Sequence, residues 1–174
     1  SLLIGAVVSS TDAASVFTIL RSQKLNLEGS LASLLEVESG SNDPVAYMLT
    51  LIILTIMGNG TVMQLIPMIV SQIVFGIIVG AVIAIASIYL IRHANFEIES
   101  FYIIFIIAIA IISYSLSEWM GGNGYLSVYI SGIIIGNSKI PHKKTWVHIL
   151  DGVSWLMQII LFYTFGLLSS PTGL

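Results

Sequence analysis

Cysteine is absent from the 174 residues, which excludes a disulfide framework, a thiol nucleophile and a cysteine-ligated metal. Charge is nearly absent too: 9% of the residues are charged, against about a quarter in soluble domains. A net charge of −3, with no basic arm and no aromatic-interleaved basic patch, excludes a nucleic-acid partner and gives no support for phosphate binding. The three histidines lie away from the acidic residues of the 38–43 stretch and are read as solvated or headgroup-facing rather than as metal ligands, and no cofactor is expected. Ser1 leads directly into an apolar segment with neither an initiating methionine nor a basic n-region, so the chain is expected to be a stretch of a longer protein.

Apolar sequence fills the space that charge leaves. Hydrophobic residues make up 56% of the chain, and the mean hydropathy is +0.99. Uncharged runs cover 44–91, 100–117, 119–138 and 152–174, and a membrane span needs about 20 mostly apolar residues. A soluble core of this size would leave too little polar surface to meet water. The chain is therefore read as an all-α polytopic membrane protein, because continuous apolar runs exclude the alternating pattern of a barrel. About six transmembrane helices are expected, over residues 2–20, 36–57, 61–91, 100–119, 125–137 and 151–168. A short amphipathic link over 26–35 should separate the first two, and Gly58-Asn59-Gly60 and Gly121-Gly122-Asn123-Gly124 should form turns.

Loop charges test this count independently, since basic residues gather in cytoplasmic loops. Arg21 and Lys24 fall in the first loop, Arg92 in the third, and Lys139, Lys143 and Lys144 in the fifth, so every basic residue lies on one side. Trp119 and Trp146 stand near predicted helix ends, as residues of an interfacial aromatic belt would. Small residues recur at helical spacing in Gly76, Gly80 and Ala84, in Ser127 and Ser131, and in Gly132 and Gly136; they are read as places where helix backbones approach.

Two places carry chemistry. Ser9-Ser10-Thr11-Asp12 falls midway along the first expected span, and its short hydroxyl and carboxyl side chains compete for backbone hydrogen bonds. A helix unwound there would expose carbonyls able to hold a cation. The alternative is a surface loop in which Asp12 caps a helix that starts at Ala13. The second place is Glu38-Ser39-Gly40-Ser41-Asn42-Asp43-Pro44, after which no charge occurs until Arg92. An ionisable group among apolar helices is costly and marks an ion path, a proton relay or a paired structural site. Helical spacing stacks Ser39 with Asp43 and Glu38 with Asn42. Pro44 has no N–H, so the carbonyl of Gly40 loses its helical partner. The alternative makes Asp43 an N-cap and Pro44 the first helical residue, leaving a segment from Val45 to Met57 that is short for a span.

The pair Ser10-Thr11-Asp12-Ala13-Ala14 and Glu38-Ser39-Gly40-Ser41-Asn42-Asp43-Pro44, joined by a basic link, resembles bacterial monovalent cation/proton antiporters of the cation:proton antiporter superfamily. Tyr125-Leu126-Ser127-Val128-Tyr129 with Gly132 and Gly136-Asn137, then Asp151-Gly152 to Trp155, and Phe165-Gly166-Leu167-Leu168 with Pro171 are similar to its later helices, particularly in its potassium/proton branch. The resemblance implies that residues 1–174 are the central part of a larger transport domain with inverted repeats. It makes Asp43 the carboxylate that binds cation and proton in turn, and Ser39 and Thr11 cation ligands beside it. Asn42 matches the asparagine of the electroneutral branch, Thr11 and Asp12 the crossing helix, and Glu38 an acid in a structural ion pair with a basic residue of a later helix. It further implies a homodimer in the bacterial inner (plasma) membrane.

The function expected is secondary antiport of Na+ or K+ against H+, by alternating access, with proton and cation competing at Asp43. Three other classes stand beside it. An intramembrane aspartyl protease needs two carboxylates, for which Asp12 and Asp43 are the candidates, but no tyrosine precedes Asp12 and no Gly-x-Gly-Asp precedes Asp43. A cation channel would conduct without obligatory proton exchange. A membrane assembly module would use the acids only as caps or structural pairs.

Overall fold

The computed structural model of the chain describes residues 2–10, 31–58, 62–93, 99–140 and 143–168. Among them the architecture is entirely helical: α1 Leu2–Val7, α2 Leu31–Met57, α3 Val62–His93, α4 Glu99–Trp119, α5 Gly124–Asn137 and α6 Lys143–Leu168. An apolar chain without water must satisfy its backbone within each segment, and the helix does so. The elements stop where local chemistry stops them. Gly121, at φ 78°, takes the left-handed conformation that ends α4. Asn123 then opens α5 as its N-cap, with Oδ1 accepting from the Leu126 N–H at 3.0 Å.

Several boundaries differ from the sequence expectation. Among the described residues, the helices long and apolar enough to cross a membrane are three, through Val37–Met57, Met63–His93 and Ile149–Leu168. The apolar stretches of α4 and α5, Ile104–Trp119 and Gly124–Asn137, are shorter. The helix expected over 2–20 is α1, which ends at Val7; residues from Thr11 to Ser30 lie outside the described set. Helix α2 begins at Leu31, so the C-terminal part of the link expected over 26–35 belongs to it. Helix α6 begins at Lys143, well before residue 151.

The early start of α6 has a packing cause. Trp146 is 4% exposed and packs on Ile91 of α3, with Phe105 and Ile106 of α4 and Ile140 around it. It is a core residue here, whereas Trp119, 83% exposed, is free to face an interface. The same cluster brings Arg92, Lys139 and Lys143 to one end of the bundle, in keeping with the one-sided loop charges.

Helix α5 is the hub, packed most extensively along α3 and also touching α4 and α2. The α3–α5 seam is built on small residues. A Cβ placed on Gly80 would lie 2.5 Å from the Ser127 carbonyl oxygen, and Ala84 is completely buried. Ser113 of α4 and Ser127 of α5 share a buried hydroxyl hydrogen bond of 2.8 Å. Gly132 and Gly136 differ: a Cβ at either position meets nothing within 4 Å. Among the described residues the largest fully buried side chains are Ile91, Asn123, Ser113, Ser117 and Ser127, while residues 154–168 of α6 are exposed apart from Gln158. Small polar groups inside and large apolar groups outside are what lipid, rather than water, selects. The fold is that of a multi-pass membrane protein.

Candidate functional site

Helix α2 runs unbroken through Pro44, so Glu38 to Asp43 lie on the helix. The arrangement in which Asp43 caps a shorter helix is not adopted. Pro44 contributes no N–H to the ladder, and the backbone around it finds partners from α5 and its cap. Asn123 Nδ2 donates to the Pro44 carbonyl at 3.2 Å. The Tyr129 hydroxyl donates to the Val37 carbonyl at 3.3 Å, and Ser41 Oγ reaches the same carbonyl at 2.6 Å. Tyr129 also packs against Gly40, whose absent Cβ would stand 2.5 Å from Cε2 of the ring. Glycine is required there because the tyrosine occupies the place of a side chain.

Asp43 is exposed where the chain leaving α1 meets α2. The hydroxyl of Ser10, three residues beyond the end of α1, donates to Asp43 Oδ1. Asp43 and Ser10 line a cavity of about 310 Å³ with Val7, Ala46, Tyr47, Thr50 and Tyr125. Its wall of hydroxyls and one carboxylate suits a small cation that sheds water, since oxygen atoms replace the lost hydration. Tyr47 is held in the wall from behind. Its ring packs on Tyr125 at 5.1 Å, and its hydroxyl donates to Glu118 Oε2 at 3.3 Å. Glu118 Oε1 in turn accepts from the Gly124 N–H at 2.9 Å, and Tyr125 meets Tyr114 edge-on at 5.3 Å.

The residues singled out from sequence therefore separate. Asp43 lines the cavity. Ser39, one turn earlier on α2, is buried at 7% exposure. Asn42 turns from Asp43 to Glu38, donating to Oε1 at 2.7 Å. Among the described residues Glu38 forms no ion pair, and Asn42 is its partner. Thr11 and Asp12 lie outside the described residues. No group of three or more metal-binding side chains occurs among the described residues.

Ser10, Tyr47, Glu118 and Asn123 were not marked as site residues from the sequence. Tyr47 had a signal, since it stands one helical turn after Asp43 and so on the same face. Ser10 had a weaker one, as a neighbour of Thr11 in the hydroxyl-rich stretch. Glu118 and Asn123 had none, because their partners are 71 and 79 residues away in the chain.

Comparison with known proteins extends the reading. Residues 1–174 match the family described as sodium/hydrogen exchanger, transmembrane. The chain is 36% identical over 175 residues to a K(+)/H(+) antiporter NhaP of Alkalimonas amylolytica, covering 99% of this chain and 30% of that protein. It is 36% identical over 178 residues to a K(+)/H(+) antiporter NhaP2 of Shewanella oneidensis, with the same two coverages of 99% and 30%. A probable Na(+)/H(+) antiporter 2 of Methanocaldococcus jannaschii is 29% identical over 182 residues, covering 95% of this chain and 41% of that protein. The chain thus spans about 30% of the length of the first two relatives. No solved structure gives a significant match.

Proposed function

The chain belongs to the sodium/hydrogen exchanger transmembrane family, and from that premise we propose that the whole protein exchanges a monovalent cation for protons across a membrane, with Asp43 as the shared binding group. The observation that carries this reading is the Asp43 carboxylate opening into a hydroxyl-lined cavity beside the proline of α2. A proton on Asp43 removes the charge that attracts a cation, and a bound cation occupies the oxygens that would take the proton. The two ligands therefore exclude each other at one site. If the protein reorients only when Asp43 is loaded, each cation moved one way is matched by a proton moved the other way.

Ser39 and Thr11 serve as the accompanying cation ligands, and Ser10 joins them as an oxygen already on the carboxylate. Asn42 adds no charge, so one proton exchanges for one cation and the cycle is electroneutral. Asp12 belongs to the crossing segment with Thr11. Glu38 completes an ion pair with a basic residue elsewhere in the whole protein while Asn42 holds its other side. Potassium is the first cation to try, because relatives 36% identical carry K(+)/H(+) antiporter names, and sodium is the second. The protein works as a homodimer in the bacterial plasma membrane.

The test uses everted vesicles that contain the full-length parent protein, challenged with potassium and then sodium salts while internal pH is followed. Cation-evoked proton release is expected, and Asp43→Asn is expected to abolish it at matched membrane abundance. Full exchange by that variant would remove Asp43 from the mechanism.

A further inference from the structure

The turn between α4 and α5 is tied to the backbone beside Asp43 through a single side chain. Asn123 is completely buried, and its polar groups reach three helices: both of its oxygens accept from α5, while its two nitrogens donate to α3 and α2. Its backbone N–H donates to the Gln72 carbonyl of α3 at 3.0 Å. Its Oδ1 caps α5 at the Leu126 N–H, and its Nδ2 donates to the Pro44 carbonyl of α2. Capping explains the first acceptor, and any Ser, Thr or Asp would supply it. The donor to Pro44 is a separate requirement: an ionised aspartate has no donor, and a serine or threonine hydroxyl is a donor on a side chain one atom shorter than the amide nitrogen.

That donor acts at a sensitive point. Proline in a helix interior removes a rung of the ladder and loosens the backbone around it. Asp43 is the residue before this proline, and its carboxylate projects into the cavity from that loosened turn. On the far side of the turn the Tyr129 ring covers Gly40, and one turn onward Tyr47 is held to Glu118. Between these two contacts, the bond from Asn123 sets where the Pro44 peptide stands against the rigid α3–α5 seam.

We propose that Asn123 is a positioning residue for the ion site: through its amide bond to the Pro44 carbonyl it sets the depth at which Asp43 meets the cation. This rests on the antiport reading, because it assigns Asn123 a role at the same carboxylate. The seam is the fixed reference and the proline turn is the part that would otherwise drift. Loss of the amide donor should therefore weaken cation binding more than it weakens the fold.

The test compares full-length wild type with Asn123→Asp, which keeps the cap acceptor and loses the donor, and with Asn123→Ser, which keeps a neutral cap too short to reach Pro44. Two quantities are read: the cation concentration giving half-maximal proton release in vesicles, and the cation concentration that half-raises the unfolding temperature of the purified protein. Both are expected to rise roughly fivefold to tenfold, the worth of one hydrogen bond carried to the site. A purely structural role would lower the unfolding temperature without cation and leave both half-saturating concentrations unchanged; that result in either variant overturns the proposal. The thermal readout separates the two readings. Cation stabilisation that weakens in the variants supports the positioning role even if vesicles show no proton exchange, in which case antiport alone fails. Wild type that shows neither exchange nor cation stabilisation overturns both.

Discussion

The α3–α5 seam and the Asp43 face of α2 use the same kinds of side chain to opposite ends. Around the seam, Ser113 of α4, Ser127 of α5 and the cap residue Asn123 are completely buried; the two serines bond each other and Asn123 bonds α2 and α3, with glycine backbones pressed against carbonyls. At the Asp43 face, Ser10, Thr50, Tyr47 and the carboxylate surround a cavity of about 310 Å³. The hydroxyls at the Asp43 face give their protons to Asp43, Ala46 and Glu118, so their oxygens keep lone pairs that an ion in the cavity could use. Polarity inside a membrane bundle therefore means little until its partners are known.

The contrast can be broken from the seam side first. Replacing Gly80 by leucine would drive a side chain into the Ser127 backbone, where even a Cβ stands at 2.5 Å. Overpacking of this kind costs about 3 kcal/mol or more when backbone must move, so little folded protein should reach the membrane. Abundance after detergent extraction and size-exclusion chromatography measures it, and a normal folded yield would show that the seam is soft.

From the other side, Ser10→Ala removes one oxygen from Asp43 without touching the seam. Folded yield should stay unchanged while the cation concentration for half-maximal exchange rises about tenfold, in line with a hydrogen bond to a charged group. An equal loss of yield would place Ser10 among the structural contacts. The smallest effect sharpens the comparison within one helix. Gly132→Ala adds a methyl where nothing lies within 4 Å, so yield and exchange should both be unchanged, although the sequence pattern pairs Gly132 with Gly136 as a packing motif. A defect there would reveal a contact made by another part of the full protein.

Much of this was legible in the residues. Sparse charge and long apolar runs required helices in lipid, and span length favoured carrying α2 back through Glu38, as it is carried. The acidic motif led to Asp43, and the chain proved to belong to the family it resembles. The place of Trp146 escaped, because distant residues decide it. Trp146 looked interfacial because it stands near a predicted helix end, yet it packs on Ile91 and Phe105 in a core, within a helix that starts at Lys143. Asn42, by contrast, bonds Glu38 one turn back, the pair that helical spacing had stacked.

Composition and periodicity alone determined that this protein is helical, lipid-embedded and armed with one carboxylate ahead of a proline, because each of those depends on a solvent or on neighbours within a turn. Tertiary structure alone decided that Ser10 would answer Asp43, that Asn123 would hold Pro44 and that Glu118 would anchor Tyr47. Those bonds join residues 33, 79 and 71 positions apart, and only the packing of helices against one another brings their atoms within reach.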